Sequence, residues 1–123
     1  MAECKLVDEK ALASYLDISG LNTNLLSRLI SLYINSALTH FSHITEAFKT
    51  KSFEELRQAA HTLKSSSKML GAVVVADTCL ALENLCHDSP VRESDLSPLV
   101  AKLGQVLHPT LAELKGHPSY RSE

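Results

Sequence analysis

The sequence predicts an all-α protein, an up-and-down four-helix bundle with a short N-terminal helix in front. Three observations point there. Four Gly and four Pro among 123 residues leave few turn-formers for a many-stranded sheet. Apolar residues recur at intervals of three and four along four long segments. The connections between those segments are short, so consecutive helices must run antiparallel beside one another.

The short leading helix starts near Asp8, with Leu12, Tyr15 and Leu16 at helical spacing, and Ser19-Gly20 breaks it. Asn22 or Thr23 can cap the next, which runs to about Phe48 with Leu26, Ile30, Tyr33, Ala37, Phe41, Ile44 and Phe48 as one stripe. Ser52-Phe53-Glu54-Glu55 reads as a capping box opening a helix through Leu56, Ala60, Leu63 and Ser67 to Leu70, with Gly71 as its left-handed end. Val75, Cys79, Leu82 and Cys86 mark the following helix, which His87-Asp88-Ser89-Pro90 closes. The last is expected to begin at Ser97-Pro98, an N-cap followed by proline at the first helical position. Leu99, Leu103, Val106, Thr110 and Leu114 keep one face across Pro109, which predicts one kinked helix, with a break at Pro109 as the alternative.

The chain is read as a single domain over 1–123, with a core of about 8–115 and a flexible tail over 116–123. With 45% hydrophobic residues but no Trp, the core must be filled mainly by Leu, Val, Ile and Ala. A net charge of -2 gives no general attraction to nucleic acid or an anionic membrane. No apolar run is long enough to span a bilayer, and the charged N-terminus does not resemble a secretory signal, so a cytoplasmic protein is expected. Cys4, Cys79 and Cys86 form no CxxC pair, which disfavours structural zinc and disulfides, and Cys79 and Cys86 are expected to be buried core residues. His40 and His43 lie three apart without a converging carboxylate motif, so no metal site is expected.

The helix around His61 carries the chemistry. Phe53, Leu56, Ala60, Leu63, Ser67 and Leu70 share one apolar sector, and His61 lies about 130° from its middle, facing solvent. Arg57 and Gln58 flank it on one side, Lys64 and Lys68 on the other, with no acidic residue between Leu56 and Ala76. On geometry alone such a histidine is ordinarily part of a solvated face. As a site, the cationic strip suits an incoming phosphate and favours a neutral, nucleophilic imidazole. Ser65 is small and one turn beyond His61, so it leaves the ring uncovered. Ser66 and Ser67 read as small residues that let a neighbouring helix approach.

The string Ala60-His61-Thr62-Leu63-Lys64-Ser65-Ser66-Ser67-Lys68-Met69-Leu70-Gly71-Ala72 closely resembles the signature of histidine phosphotransfer (HPt) domains, AHxLKGSSxxLGA or a near variant. His61 stands at the phosphorylated histidine, Lys64 at the lysine that contacts the phosphoryl group, and Gly71-Ala72 at the helix end. Cys79 and Leu82-Glu83 match the cysteine and Leu-Glu pair of the next helix. Ser65 replaces the more usual glycine, and His87 falls where a basic residue often occurs. A sensor-kinase dimerisation helix fits less well, because there the histidine is followed by an acid and then a proline, where this chain has Thr62-Leu63-Lys64.

The resemblance implies a phosphocarrier without kinase activity of its own, which takes a phosphoryl group onto His61 from one receiver-domain aspartate and returns it to another. Lys64 would be the second reacting-site residue, with Ser65, Lys68, Arg57 and Gly71 in support. The implied partners are receiver domains of response regulators and of a hybrid sensor kinase, met by a monomer. No cofactor is expected, because the surface shows no carboxylates for Mg²⁺ and the receiver would bring the ion. A helical adaptor without phosphoryl chemistry is the alternative.

Overall fold

A computed structural model describes residues 23–87 and 91–116, with side chains from Ser27 onward. Among these residues the chain forms α1 (Thr23–Lys49), α2 (Phe53–Met69), α3 (Val73–His87) and α4 (Glu93–Lys115). Each helix packs on the next in sequence, and α4 closes against α1, the neighbour relations of an up-and-down bundle. The short leading helix, the Asn22 cap, Leu26, Cys4 and the tail beyond Gly116 lie outside what is described.

The stripes converge as the periodicity requires. Ile30, Ala37 and Ile44 of α1, Leu56, Ala60 and Leu63 of α2, Val75, Cys79 and Leu82 of α3, and Leu103, Leu107 and Leu114 of α4 are all fully buried. Phe41 and Phe48 pack on this core from its edge, only partly covered. Phe41 lies over Gly104, where a Cβ would come within 3.1 Å of its ring, so α1 and α4 meet at a position that accepts no side chain easily. Cys86, expected in the interior, is only partly buried, while Cys79 is wholly so.

The ends of α2 are fixed by two turns of one kind. After α1, Ser52 N–H donates to the Ala47 carbonyl at 2.8 Å and Lys51 N–H to the Phe48 carbonyl at 3.3 Å. After α2, Ala72 N–H donates to Ser67 at 2.8 Å and Gly71 N–H to Lys68 at 3.2 Å. Both are Schellman turns, with Lys51 (φ 59) and Gly71 (φ 74) in the left-handed position. Gly71 therefore ends α2 as expected.

The expected capping box is not made. Ser52 does precede the first residue of α2, but its side chain makes no cap hydrogen bond. Its hydroxyl pairs with that of Thr50 at 2.9 Å. Its own N–H, which Glu55 would have capped, is already spent on Ala47 in the Schellman turn.

The start of α4 also differs from expectation, lying at Glu93 instead of Ser97. Arg92 is extended (φ -108, ψ 121), and Glu93 and Asp95 place negative charge in the first turn. Leu96 is fully buried, which holds that turn onto the core. Both Pro98 and Pro109 lie inside the helix. They are tolerated because Ser94 and Gln105, whose carbonyls lose their partners, are exposed to water along with the prolines themselves.

Candidate functional site at His61

Helix α2 turns its apolar side into the bundle and leaves His61 outward, with 55% of its side chain exposed. Lys64, one turn on, lies along the surface toward α3 and is 15% exposed. Between them stands a residue from another helix. Glu83 of α3 places one oxygen 2.7 Å from His61 Nδ1 and the other 2.7 Å from Lys64 Nζ.

That carboxylate corrects the picture of an acid-free cationic strip. No acid lies between Leu56 and Ala76 in sequence, but α3 supplies one in space. The hydrogen bond from Lys64 holds the Glu83 carboxyl below the usual carboxylate range, against the opposing pull of desolvation, and the His61 bond adds to it. An ionised carboxylate only accepts hydrogen bonds, so Nδ1 is the donor in this contact, and in the neutral ring the lone pair lies on Nε2.

Arg57 is also paired. Its guanidinium donates to Glu54 at 3.0 and 2.6 Å, and Gln58 reaches the same carboxylate at 3.2 Å. The Arg57 contact brings the Glu54 carboxyl down to about 2. Of the three cations expected around His61, Lys68 alone makes no ion pair among the described residues, and it is exposed. The strip is thus one free lysine beside two neutralised pairs.

Ser65 is exposed, and its hydroxyl donates back to the His61 carbonyl at 3.1 Å, so little projects over the ring from that side. Ser66 folds onto carbonyls of its own helix in the same way. Ser67 is buried and bonds the Tyr33 hydroxyl of α1. Gly71 lies at the helix end, where its left-handed backbone shapes the turn.

On another flank, α1 and α2 border a groove that includes His40, His43, Glu46, Glu55, Gln58 and Thr62. The His40 and His43 rings meet edge-on with centroids 6.3 Å apart. Burial and the neighbouring His43 lower the pKa of His40. Among the described residues no three potential ligands group in a way that could hold a metal ion. Nor is any described helix long and apolar enough to cross a membrane.

Sequence reasoning placed His61, Lys64 and Ser65 on one face, as the structure does, but did not place Glu83 in the site. The available signal was its position in the Leu82-Glu83 pair, matched to the family but assigned no role.

Comparison with known proteins bears on the fold and the family. The chain is 30% identical over 100 residues to the sensor protein TorS of Escherichia coli, an alignment covering 76% of this chain. It spans only 11% of the length of that protein. Its fold is similar to the crystal structure of histidine-containing phosphotransfer protein B (HptB) from Pseudomonas aeruginosa, with a TM-score of 0.81 at 18% identity, covering 92% of this chain and 94% of that one. Residues 28–116 match the family model of the Hpt domain, and the chain belongs to that family, the histidine phosphotransfer modules of phosphorelays.

Proposed function

We propose that His61 carries a phosphoryl group, taken from the aspartyl phosphate of one receiver domain and passed to the aspartate of another. The observation that carries this reading is a half-exposed imidazole whose Nδ1 is held by Glu83 at 2.7 Å, which leaves Nε2 as the ring nitrogen for the phosphoryl group. The Nε2 lone pair forms the new bond to phosphorus in line as the bond to the aspartate oxygen breaks, and the aspartate leaves as carboxylate. The ring becomes a cation while Nδ1 keeps its proton, and Glu83 faces that developing charge. Reversal transfers the group onward.

Lys64 belongs to the site through its contact with Glu83, and Lys68 steers the acidic receiver from further out. Arg57, with Glu54 on its guanidinium, contributes less to steering than a free cation would. Ser65 keeps the approach open. The receiver brings Mg²⁺ with its own acidic cluster, because Glu83 is committed to His61 and Lys64.

Family membership supports a phosphocarrier, met by receiver domains, over an adaptor without phosphoryl chemistry. In this reading the chain is one domain, a cytoplasmic monomer without kinase activity, serving a hybrid sensor kinase and a response regulator. The test is incubation with a phosphorylated receiver. Acid-labile, base-stable label should appear on the wild type and be absent from His61→Gln, which keeps the fold because its side chain supports no core contact. Label retained on that variant overturns the assignment of His61.

A further inference from the structure

The two flanks of α2 differ in charge. Toward α3, Lys64 is matched by Glu83, and further along the helix Arg57 is matched by Glu54. Toward α1 lies the groove of about 420 Å³ that Gln58 and Thr62 border. Thr62 follows His61 directly and Gln58 is three residues before it, so both stand within about 100° of the imidazole round the helix. The groove therefore opens beside the face that carries His61.

Its acids are Glu46 of α1 and Glu55 of α2, and no lysine or arginine is among the described residues that border it. Both glutamates are exposed, and neither carboxylate makes an ion pair among the described residues. His40 and His43 complete the α1 wall, and the lowered pKa of His40 keeps that ring from adding much positive charge near neutral pH. Glu55 has a structural reason to be acidic. It lies in the first turn of α2, where the helix dipole favours negative charge. Glu46 is in the opposite position, the last turn of α1, where the dipole disfavours a carboxylate. Helix stability does not account for it.

We propose that this groove receives an arginine or lysine side chain of the receiver domain that docks on His61, with Glu46 and Glu55 as its acidic walls. This rests on the reading of His61 as the phosphoryl carrier. A standard protein interface covers about 800 Å² on each partner, a patch roughly 16 Å in radius. Glu55, six residues before His61, is only about 9 Å from it along the helix axis. A receiver centred on His61 thus extends over the groove.

Covering two carboxylates without a counter-charge is costly, whereas a basic group placed between them makes charge-assisted hydrogen bonds. Among the described residues no group of three ligands suits a metal ion, so the cation that fits this groove is an organic one. Lys68, exposed and without an ion pair among the described residues, attracts the acidic part of the same partner. Contacts of opposite sign at the two places fix the direction in which a receiver lies along α2.

The test compares Glu46→Gln, Glu55→Gln and the double variant with wild type, with helicity checked for each. Glu46→Gln should melt no lower than wild type, since it removes a charge from the unfavourable end of a helix. With a phosphorylated receiver that labels the wild type, each single variant should be labelled about threefold more slowly and the double variant about tenfold. Potassium phosphoramidate loses ammonia as the N–P bond to His61 forms and needs no docking surface. It should label none of the variants more slowly than wild type. Overall charge alone predicts the opposite sign, because an acidic receiver should approach a face with two fewer negative charges faster. Faster or unchanged transfer to the double variant overturns the proposal, as does a loss that phosphoramidate shares.

Argininamide probes the groove directly. Titrated into ¹⁵N-labelled protein, it should move the amide signals of Ala47 and Ala59, which line the groove, and move them much less in the double variant. Signals that do not move, or that move equally in both proteins, also overturn the proposal. If neither donor labels His61 in the wild type, the carrier reading itself has failed, and argininamide still decides whether the groove takes a basic group.

Discussion

Tyr33 of α1 and Ser67 of α2, 34 residues apart in sequence, share a buried hydrogen bond of 2.6 Å. The pair ties the helix that carries His61 to its neighbour. Its two halves should not be equally costly to remove. Ser67→Ala leaves the hydroxyl of a 4% exposed tyrosine without a partner and should destabilise the fold by about 1–3 kcal/mol. Tyr33→Phe should cost about 0.5–1.5 kcal/mol, because the Ser67 hydroxyl can turn to a carbonyl of its own helix, as Ser66 does. Urea unfolding of both variants checks the order, and a larger loss from Tyr33→Phe would contradict it.

The same tyrosine predicts how the protein responds to alkali. Burial pushes the Tyr33 hydroxyl from 10.0 up to about 12. The Cys79 thiol rises from 9.0 to about 12 and Cys86 from 9.0 to about 11, again mainly by burial. Each group holds its proton in the folded state at a pH where the unfolded chain releases it. Their contributions are therefore intact below pH 9 and lost as pH rises, the cysteines first and Tyr33 from about pH 10 to 12. For Tyr33 the loss amounts to roughly 2–3 kcal/mol. Stability measured from pH 8 upward should fall, and Tyr33→Phe should flatten the later part of the fall while sparing the earlier part.

Lys51 and Gly71 occupy the same left-handed position in the two turns that bracket α2. A lysine there strains a backbone that glycine adopts freely. Lys51→Gly should stabilise the protein by about 0.5 kcal/mol, the relief of strain being partly offset by the greater freedom of glycine in the unfolded chain. Gly71→Ala should destabilise by about 1 kcal/mol, and more if the added methyl is crowded, since Gly71 is buried. Thermal melts of the two variants should move in opposite directions.

What the sequence revealed, and what it concealed, follows from the range of each interaction. The stripes of Ile30, Leu63, Leu82 and Leu103 are legible because a helix repeats every few residues, so burial prints itself as periodicity. The outward aspect of His61 follows from the same geometry. Glu83 is different: it meets His61 from 22 residues away, on another helix, and no local spacing announces it. The capping box at Ser52 failed for a related reason. The motif is complete in sequence, but the donor it needs was claimed by Ala47 of the preceding helix. Ser97-Pro98 has the form of a helix start, yet the buried Leu96 pulls the helix back to Glu93, a tertiary contact prevailing over a local signal.

The last prediction concerns access to Nε2. Ser65 stands one turn beyond His61, is exposed, and folds its hydroxyl onto the His61 carbonyl at 3.1 Å. Side chains on a helix lean toward its N-terminus, so whatever occupies this position leans toward the imidazole. Ser65→Ala keeps the position small and slightly improves helix propensity, so transfer and stability should both stay near wild type. Ser65→Gln should also fold normally, since nothing in the core touches the position. Its longer side chain, however, would occupy the volume through which a receiver brings its aspartyl phosphate. The expected result is a stable protein that exchanges phosphoryl groups slowly with every receiver tried. Phosphoramidate, which needs far less room, should be hindered less than a receiver. That difference separates obstruction from a chemical defect at His61, which would slow both donors alike. If Ser65→Gln matches wild type with receivers, the approach to His61 is not limited at this position.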